Sequence, residues 1–282
     1  MDESVKEVAL ITGAGSGFGL LSAVELARRG LKVFGSLRDL GRAERLDRAA
    51  KEAGVTVEKV QLDVTRPDSI ARALAEVGRV DVLINNAGFG LGGFLEDLTM
   101  DELREQLETN FFGLVAVTKA FLPGMRERRH GRIINVSSVG GRFATPGLSA
   151  YCASKWAVEG LSESLRHELR PLGVWVSLVE PGTFKTDIFD RNARRAAKMS
   201  DPASPWFARS QQMEKVVGAL LDRSTADPAD VARTIAHVAT CAHPKLRYLV
   251  GKDARGQTLA KALLPFSMIE KAIDRYVGVK KE

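Results

Sequence analysis

The sequence predicts an α/β fold: a single doubly wound parallel sheet of about seven strands with helices on both faces. Three observations lead there. Short β-branched apolar runs recur along the first two-thirds of the chain, and most are continuous rather than alternating, as in strands covered on both faces. Longer helical patterns separate them, giving a βαβα order that implies parallel strands and right-handed crossovers. At 282 residues the chain suits one large domain and is short for two.

The elements follow in order. Strand runs are expected at 8–12, 32–37, 57–62, 82–85, 132–136 and 175–180, with a short last one at 247–250. Helical patterns lie at 20–29, 41–53, 69–77, 101–126 and 151–170. Two segments depart from this alternation. Residues 187–215 are basic, then punctuated by Pro202 and Pro205, and carry Trp206 and Phe207. They read either as a substrate lid or as a peripheral helix pair. The tail, 259–282, is amphipathic through Leu263, Leu264, Phe266, Met268, Ile269 and Ile273. It caps its own domain, packs on a partner subunit, or lies on a membrane surface.

Composition narrows the function classes. Apolar residues make up 45% and charged residues 27%, which suits a packed domain and excludes disorder as the main state. The net charge of +6 comes from cations spread along the chain, so no nucleic-acid footprint is expected, and a mild positive field helps to gather an anionic cofactor. Cys152 and Cys241 offer neither a disulfide framework nor metal-ligand spacing, which suits a reducing, cytoplasmic setting. Neither a signal peptide nor a transmembrane segment is expected. His130, His167, His237 and His243 are scattered, which disfavours a nucleophile–histidine triad.

The first strand runs straight into Thr12-Gly13-Ala14-Gly15-Ser16-Gly17-Phe18-Gly19 and then a helix. Glycines there permit a tight turn and let backbone approach a pyrophosphate seated on the helix N-terminus, as in a Rossmann-type site. The spacing is Gly-x-x-x-Gly-x-Gly, with Phe18 where the last glycine of the more familiar pattern falls. Which dinucleotide binds depends on the end of the second strand, Leu37-Arg38-Asp39. Arg38 can grip a 2′-phosphate, favouring NADP(H). Asp39 is near the position of a ribose-binding carboxylate, so NAD(H) stays possible, yet it is also a good helix N-cap.

Tyr151 and Lys155 are four apart at the start of a strongly helical stretch, hence on one helix face. A phenol that titrates near ~10 in water becomes a usable acid and base if an ammonium lowers its pKa. Ser138 follows the fifth strand, and Asn85-Asn86-Ala87-Gly88 ends the fourth, both at the carboxyl edge where ligands bind in such sheets. Asn110 falls within a helical stretch, where asparagine is disfavoured. It is a kink, a solvent-facing residue or a buried hydrogen-bonding post.

From about Val8 to Thr186 this joint pattern resembles the short-chain dehydrogenase/reductase family, and within it the steroid- and retinol-dehydrogenase-like members. The resemblance implies a catalytic tetrad of Asn110, Ser138, Tyr151 and Lys155. It assigns cofactor binding to Gly13, Ser16, Gly17, Phe18 and Gly19, with Arg38 and Ser16 at the 2′-phosphate and Asp63 and Val64 near the adenine. Asn86, Ala87 and Gly88 complete that side, and Pro181, Gly182, Phe184 and Thr186 match the segment that holds the nicotinamide carboxamide. Tyr151 and Lys155 contact the cofactor too, and Asn110 is expected to bind a water linked to Lys155. The resemblance also implies a homodimer or homotetramer paired through the helices of Asn110 and Tyr151. No metal is expected.

The function expected is thus NADP(H)-dependent hydride transfer to or from a small hydrophobic alcohol, ketone or aldehyde. Phe89, Leu91, Phe143, Leu148, Phe184, Trp206 and Phe207 are candidates for the pocket or for core. The alternatives are a non-catalytic NADP(H)-binding redox sensor or scaffold, and a reductase of acyl- or polyketide-type ketones.

Overall fold

The protein is described by a computed structural model covering residues 6–186 and 193–277. Residues 187–192 of the expected lid and 278–282 of the tail lie outside the described residues. A seven-stranded, all-parallel sheet forms the centre, in the order β3-β2-β1-β4-β6-β7-β9. The strands are β1 (Val8–Ile11), β2 (Lys32–Leu37), β3 (Glu58–Gln61), β4 (Val82–Asn85), β6 (Gly131–Val136), β7 (Val174–Pro181) and β9 (Arg247–Val250). A separate parallel pair joins β5 (Gly90–Gly92) to β8 (Ala193–Arg195).

Successive side chains in the central strands alternate between two buried layers. In β1, Ala9 and Ile11 join Ile84, Ile134 and Val179 in a core with Ile235 and Ala236 of helix α8 (Ala229–Thr240). Leu10 points the other way, into a core with Leu83, Ile133 and Val176, where it meets Ile70 of α3 (Pro67–Val77) and Val117 of α5 (Gly113–Arg128). Burying each such side chain stabilises the fold by roughly 1.5–3 kcal/mol. These strands are therefore continuous apolar runs.

The remaining helices are α1 (Gly17–Arg28), α2 (Glu44–Glu52), α4 (Met100–Leu107), α6 (Ser149–Leu169), α7 (Phe207–Arg223), α9 (Lys252–Leu263) and α10 (Phe266–Val277). Three differ from expectation. Helix α1 begins at Gly17, inside the glycine turn, because that residue takes a φ of +52° and feeds directly into the helix. The helix expected at 41–53 is divided: Asp39 Oδ1 accepts a hydrogen bond from Gly41 N–H (2.9 Å) and caps a 3₁₀ turn at Leu40–Arg42 before α2. The long helix at 101–126 is broken into α4, a π-turn at Glu108–Phe112, and α5. Gly113 accounts for the close approach there: a Cβ on it would lie 2.7 Å from Val64 Cγ2.

Strand order reverses between β1 and β4, so the crevice at their carboxyl ends is the topological switch point. The edge is pinned by buried polar groups. Asn85 Nδ2 donates to Thr118 Oγ1 and to Asn135 Oδ1, both at 2.9 Å, and Asn135 Nδ2 donates to Ser162 Oγ at 2.8 Å.

Candidate active site

At the switch point the glycine turn is held by the end of β4. The backbone N–H groups of Asn86 and Ala87 donate to Thr12 Oγ1 (2.9 and 3.0 Å). Asn86 Nδ2 donates to the carbonyls of Thr12 (2.9 Å) and Gly13 (3.2 Å). Gly13 has a φ of +72°, which favours glycine. Gly19 leaves no room for a side chain, since a Cβ would stand 2.3 Å from the Gly13 oxygen and 2.5 Å from Asn86 Nδ2. Helix α1 carries no acidic residue in its first turn, which leaves its positive dipole end open to an anion. Gly19→Ala is therefore expected to destabilise the fold by roughly 1–3 kcal/mol through overpacking and to weaken NADPH binding. Thermal melting and cofactor titration on one preparation check this; an unchanged affinity would contradict it.

At the end of β2, Leu37 packs against Gly15 and Arg38 is exposed. Asp39 is committed to its cap and pairs with Arg42 at 3.5 Å. Asp63 Oδ1 accepts from the Thr65 N–H (3.0 Å) and Thr65 Oγ1 (2.8 Å), which fixes the loop after β3. Val64 is buried beneath Gly113.

Beyond the turn lies a cleft with three walls. Phe18, Asn86 and Gly88 form one, Ser138, Tyr151 and Lys155 the second, and Pro181, Gly182, Phe184 and Thr186 the third. Phe18 and Phe184 meet edge to face, 5.5 Å between centroids. Ser138 Oγ accepts from Gly140 N–H (3.0 Å), capping a tight turn at Val139–Gly141. Tyr151 and Lys155 sit in the first turns of α6 and are each 5% exposed. A Cβ on Gly140 would come 3.2 Å from the Tyr151 ring, so glycine there lets this turn pack closely on the phenol.

Burial dominates the electrostatics. It pushes the Tyr151 phenol up to about 12, against a hydrogen bond from Ser138 that pulls it down. Burial brings the Lys155 ammonium down to about 8, opposed by the nearby charge of Glu159. Lys155 Nζ donates to the Val136 carbonyl (2.9 Å) and lies 5.8 Å from the Tyr151 ring centroid. Against the expected lowering by Lys155, the direction in this structure is upward, because desolvation of the buried phenol outweighs the Ser138 hydrogen bond.

Asn110 is a buried post rather than part of a cleft wall. Its Nδ2 donates to the Phe89 carbonyl (2.9 Å) and Ser154 Oγ (3.2 Å), and its Oδ1 accepts from the Phe89 N–H (3.1 Å). It ties the loop after β4 to α6, one residue from Lys155. Of the pocket candidates, Phe184 lines the cleft, while Phe89 and Leu91 are buried beside it with Leu98, Ala150 and Ala196. Trp206 stacks on Phe94 (4.7 Å, 14°) and donates Nε1–H to Glu96 (2.7 Å), outside the cleft walls.

Several supporting residues were not expected. Asp253, in the first turn of α9, accepts the Thr183 N–H at 2.6 Å and fills the space a side chain on Gly182 would need. Ser224 Oγ donates to the Thr183 carbonyl at 2.8 Å, so the third wall is braced from two helices' ends. Behind Lys155, the buried carboxylates of Glu159 and Glu180 share the Arg247 guanidinium, which also reaches Glu163 at 2.6 Å. Burial, then the neighbouring Glu180 charge, raises Glu159 to about 7.

Comparison with known proteins places this architecture. The family model for short chain dehydrogenases matches residues 7–197, and the chain belongs to that family of oxidoreductases. An uncharacterized oxidoreductase of Bacillus subtilis is 41% identical over 278 residues, covering 96% of this chain and 98% of that one. A 3-ketodihydrosphingosine reductase of Bacteroides thetaiotaomicron is 37% identical over 283 residues (97% and 99%). Human retinol dehydrogenase 8 is 40% identical over 248 residues (84% and 79%). Among solved structures, a short-chain dehydrogenase from Streptomyces avermitilis has a TM-score of 0.80 at 34% identity, covering 99% of this chain and 100% of that one. A metagenomic short-chain oxidoreductase in complex with NADP has a TM-score of 0.67 at 31% identity (86% and 96%). A Burkholderia phymatum family member in complex with NAD has 0.76 at 31% (96% and 97%).

Proposed function

We propose that the protein is an NADP(H)-dependent oxidoreductase that moves hydride between nicotinamide and the carbon of a hydrophobic alcohol, ketone or aldehyde. The observation that carries this reading is the enclosed phenol of Tyr151, hydrogen-bonded to Ser138 and one helical turn from Lys155, in the wall of a cleft at the switch point.

The residues fit a nicotinamide dinucleotide. The cradle of Gly13 and Gly19 is free of Cβ atoms, and Thr186 Oγ1 is buried in the third wall without a hydrogen-bond partner. Gly13, Ser16, Gly17, Phe18 and Gly19 would hold the pyrophosphate end, with Asn86, Ala87 and Gly88 supporting it. Pro181, Gly182, Phe184 and Thr186 would hold the nicotinamide end. When bound, NADPH supplies the hydride. In reduction, Ser138 and Tyr151 hydrogen-bond the carbonyl oxygen, and Tyr151 gives its phenolic proton to that oxygen as the carbon gains hydride. A phenol kept protonated by burial is ready for this donation. Lys155 would hold the ribose hydroxyls of the cofactor and keeps a positive charge beside the phenol, and Asn110 positions the helix that carries it. The alcohol-oxidising direction is the same step reversed: Tyr151, once ionised, takes the alcohol proton as hydride leaves the carbon.

Arg38, exposed at the end of β2, supports NADP(H), because Asp39 is taken up by its cap. Arg38→Ala is expected to weaken NADPH binding by about tenfold or more, the loss of a charge-assisted phosphate contact, and to leave NADH binding nearly unchanged. Side-by-side titration of both cofactors tests it; a preference for NADH that ignores Arg38 would overturn the assignment. The apolar walls at Phe18 and Phe184, and relatives named for 3-ketodihydrosphingosine and for retinol, support an apolar substrate.

A further inference from the structure

Of the eleven large apolar side chains that the described residues expose, five fall within ten consecutive positions, at the turn joining α9 to α10. They are Leu259, Leu263, Leu264, Phe266 and Met268, with Leu263 71% and Phe266 68% exposed. The turn is anchored on both sides of this crest. Ala254 and Ile269 are buried, and Lys261 Nζ donates to the Arg142 carbonyl (2.6 Å) while lying 4.2 Å above the Trp156 ring. A crest held to the body at both ends, with its apolar side chains outward, is a surface awaiting an apolar phase.

Charge selects that phase. No acidic residue occurs between Asp253 and Glu270, a stretch that holds Arg255 and Lys261; just beyond it lie Lys252 on one side and the Glu270–Lys271 pair of opposite charges on the other. Asp253 faces inward, to Gly182 and Thr183. A second copy docked through the same patch would set these cations against their own equivalents. A bilayer with anionic headgroups offers the opposite charge together with apolar depth. Among the described residues no helix is long and apolar enough to cross a membrane, so the contact is one of lying on the surface.

We propose that the α9–α10 turn is a docking surface for an anionic phospholipid bilayer, entering the headgroup region with Leu263, Leu264 and Phe266 and drawn to it by the exposed Lys252, Arg255 and Lys271. The proposal rests on this turn alone, independently of the reaction assigned to the cleft.

The test is co-sedimentation of the full chain with phosphatidylglycerol-containing vesicles and with pure phosphatidylcholine vesicles, for wild type and for Leu263→Ser/Phe266→Ser. Both side chains are solvent-exposed, so the variant should keep the wild-type melting temperature and turnover. Wild type should partition onto the anionic vesicles at least about tenfold better than the variant, with binding weakened by salt and by removal of the anionic lipid. No binding by wild type, or equal binding by the variant, would overturn the proposal. So would a wild-type dimer that the double substitution dissolves without any vesicle binding, which would assign the crest to a second copy. Because vesicle binding is read and not catalysis, failure here leaves the proposed reaction standing.

Discussion

Tyr151→Phe is expected to cut turnover by about 10²–10⁴-fold, the usual worth of a positioned general acid, while NADPH affinity stays nearly unchanged. The substitution deletes one oxygen from a ring already packed against Gly140 and 5% exposed, so the wall keeps its shape. What disappears is the proton that the phenol holds up to about 12 and its hydrogen bond with Ser138. Steady-state reduction of an apolar ketone, with cofactor titration on the same sample, reads both quantities. Turnover at the wild-type rate would remove Tyr151 from the chemistry.

The second large effect concerns stability. Arg247→Met should cost up to about 3–5 kcal/mol near neutral pH, because it leaves the buried carboxylate of Glu159 without its arginine and Glu180 with Arg142 alone, at 3.4 Å. The pH dependence has a definite sign. Glu159 is raised by burial from 4.5 to about 7, so the folded state binds its proton more tightly than the unfolded chain does. Stability from this group therefore falls as pH rises from about 4.5 to about 7, and is level above that window. Losing the Arg247 charge, which favours the ionised carboxylate, pushes Glu159 higher still and steepens the fall. Urea unfolding at an acidic and a mildly alkaline pH should show a smaller deficit in acid, and Glu159→Gln added to Arg247→Met should recover part of it. An equal deficit at both values would mean that the guanidinium acts through packing alone.

The central strands of the sheet were readable because they are buried on both faces. The runs at Lys32–Leu37 and Val82–Asn85 appear end for end in the structure, since largely apolar buried stretches leave little choice of boundary, and the short edge run at Arg247–Val250 is matched as well. The β5–β8 pair was invisible: two three-residue strands, one of them Gly-Leu-Gly, carry no periodicity. Asn110 stood out as an ill-suited helix residue, but its partners Phe89 and Ser154 are set only by the tertiary fold. The same holds for Asp253 on the Gly182 loop and Arg247 on Glu159, contacts between residues about 70 and 88 apart. The segment carrying Trp206 was legible as a departure from the α/β alternation. Its described part forms β8, a 3₁₀ turn and α7, with Trp206 packed on Phe94 and Met213 of α7 in the interior. In the tail the apolar pattern was plain, but which residues face outward depends on the bend between α9 and α10.

Hydride transfer in the cleft under acid catalysis by Tyr151, as proposed, leaves an isotopic trace. The most direct measurement is a single turnover with NADPH deuterated at the transferred position of its nicotinamide, mixed with a panel of apolar ketones and aldehydes, followed by mass analysis of the products. The expected product is an alcohol carrying deuterium on the former carbonyl carbon, formed by wild type and nearly absent with Tyr151→Phe. Tight NADPH binding with no labelled alcohol from any member of the panel would contradict it, and would point to a cofactor-sensing protein instead of an enzyme.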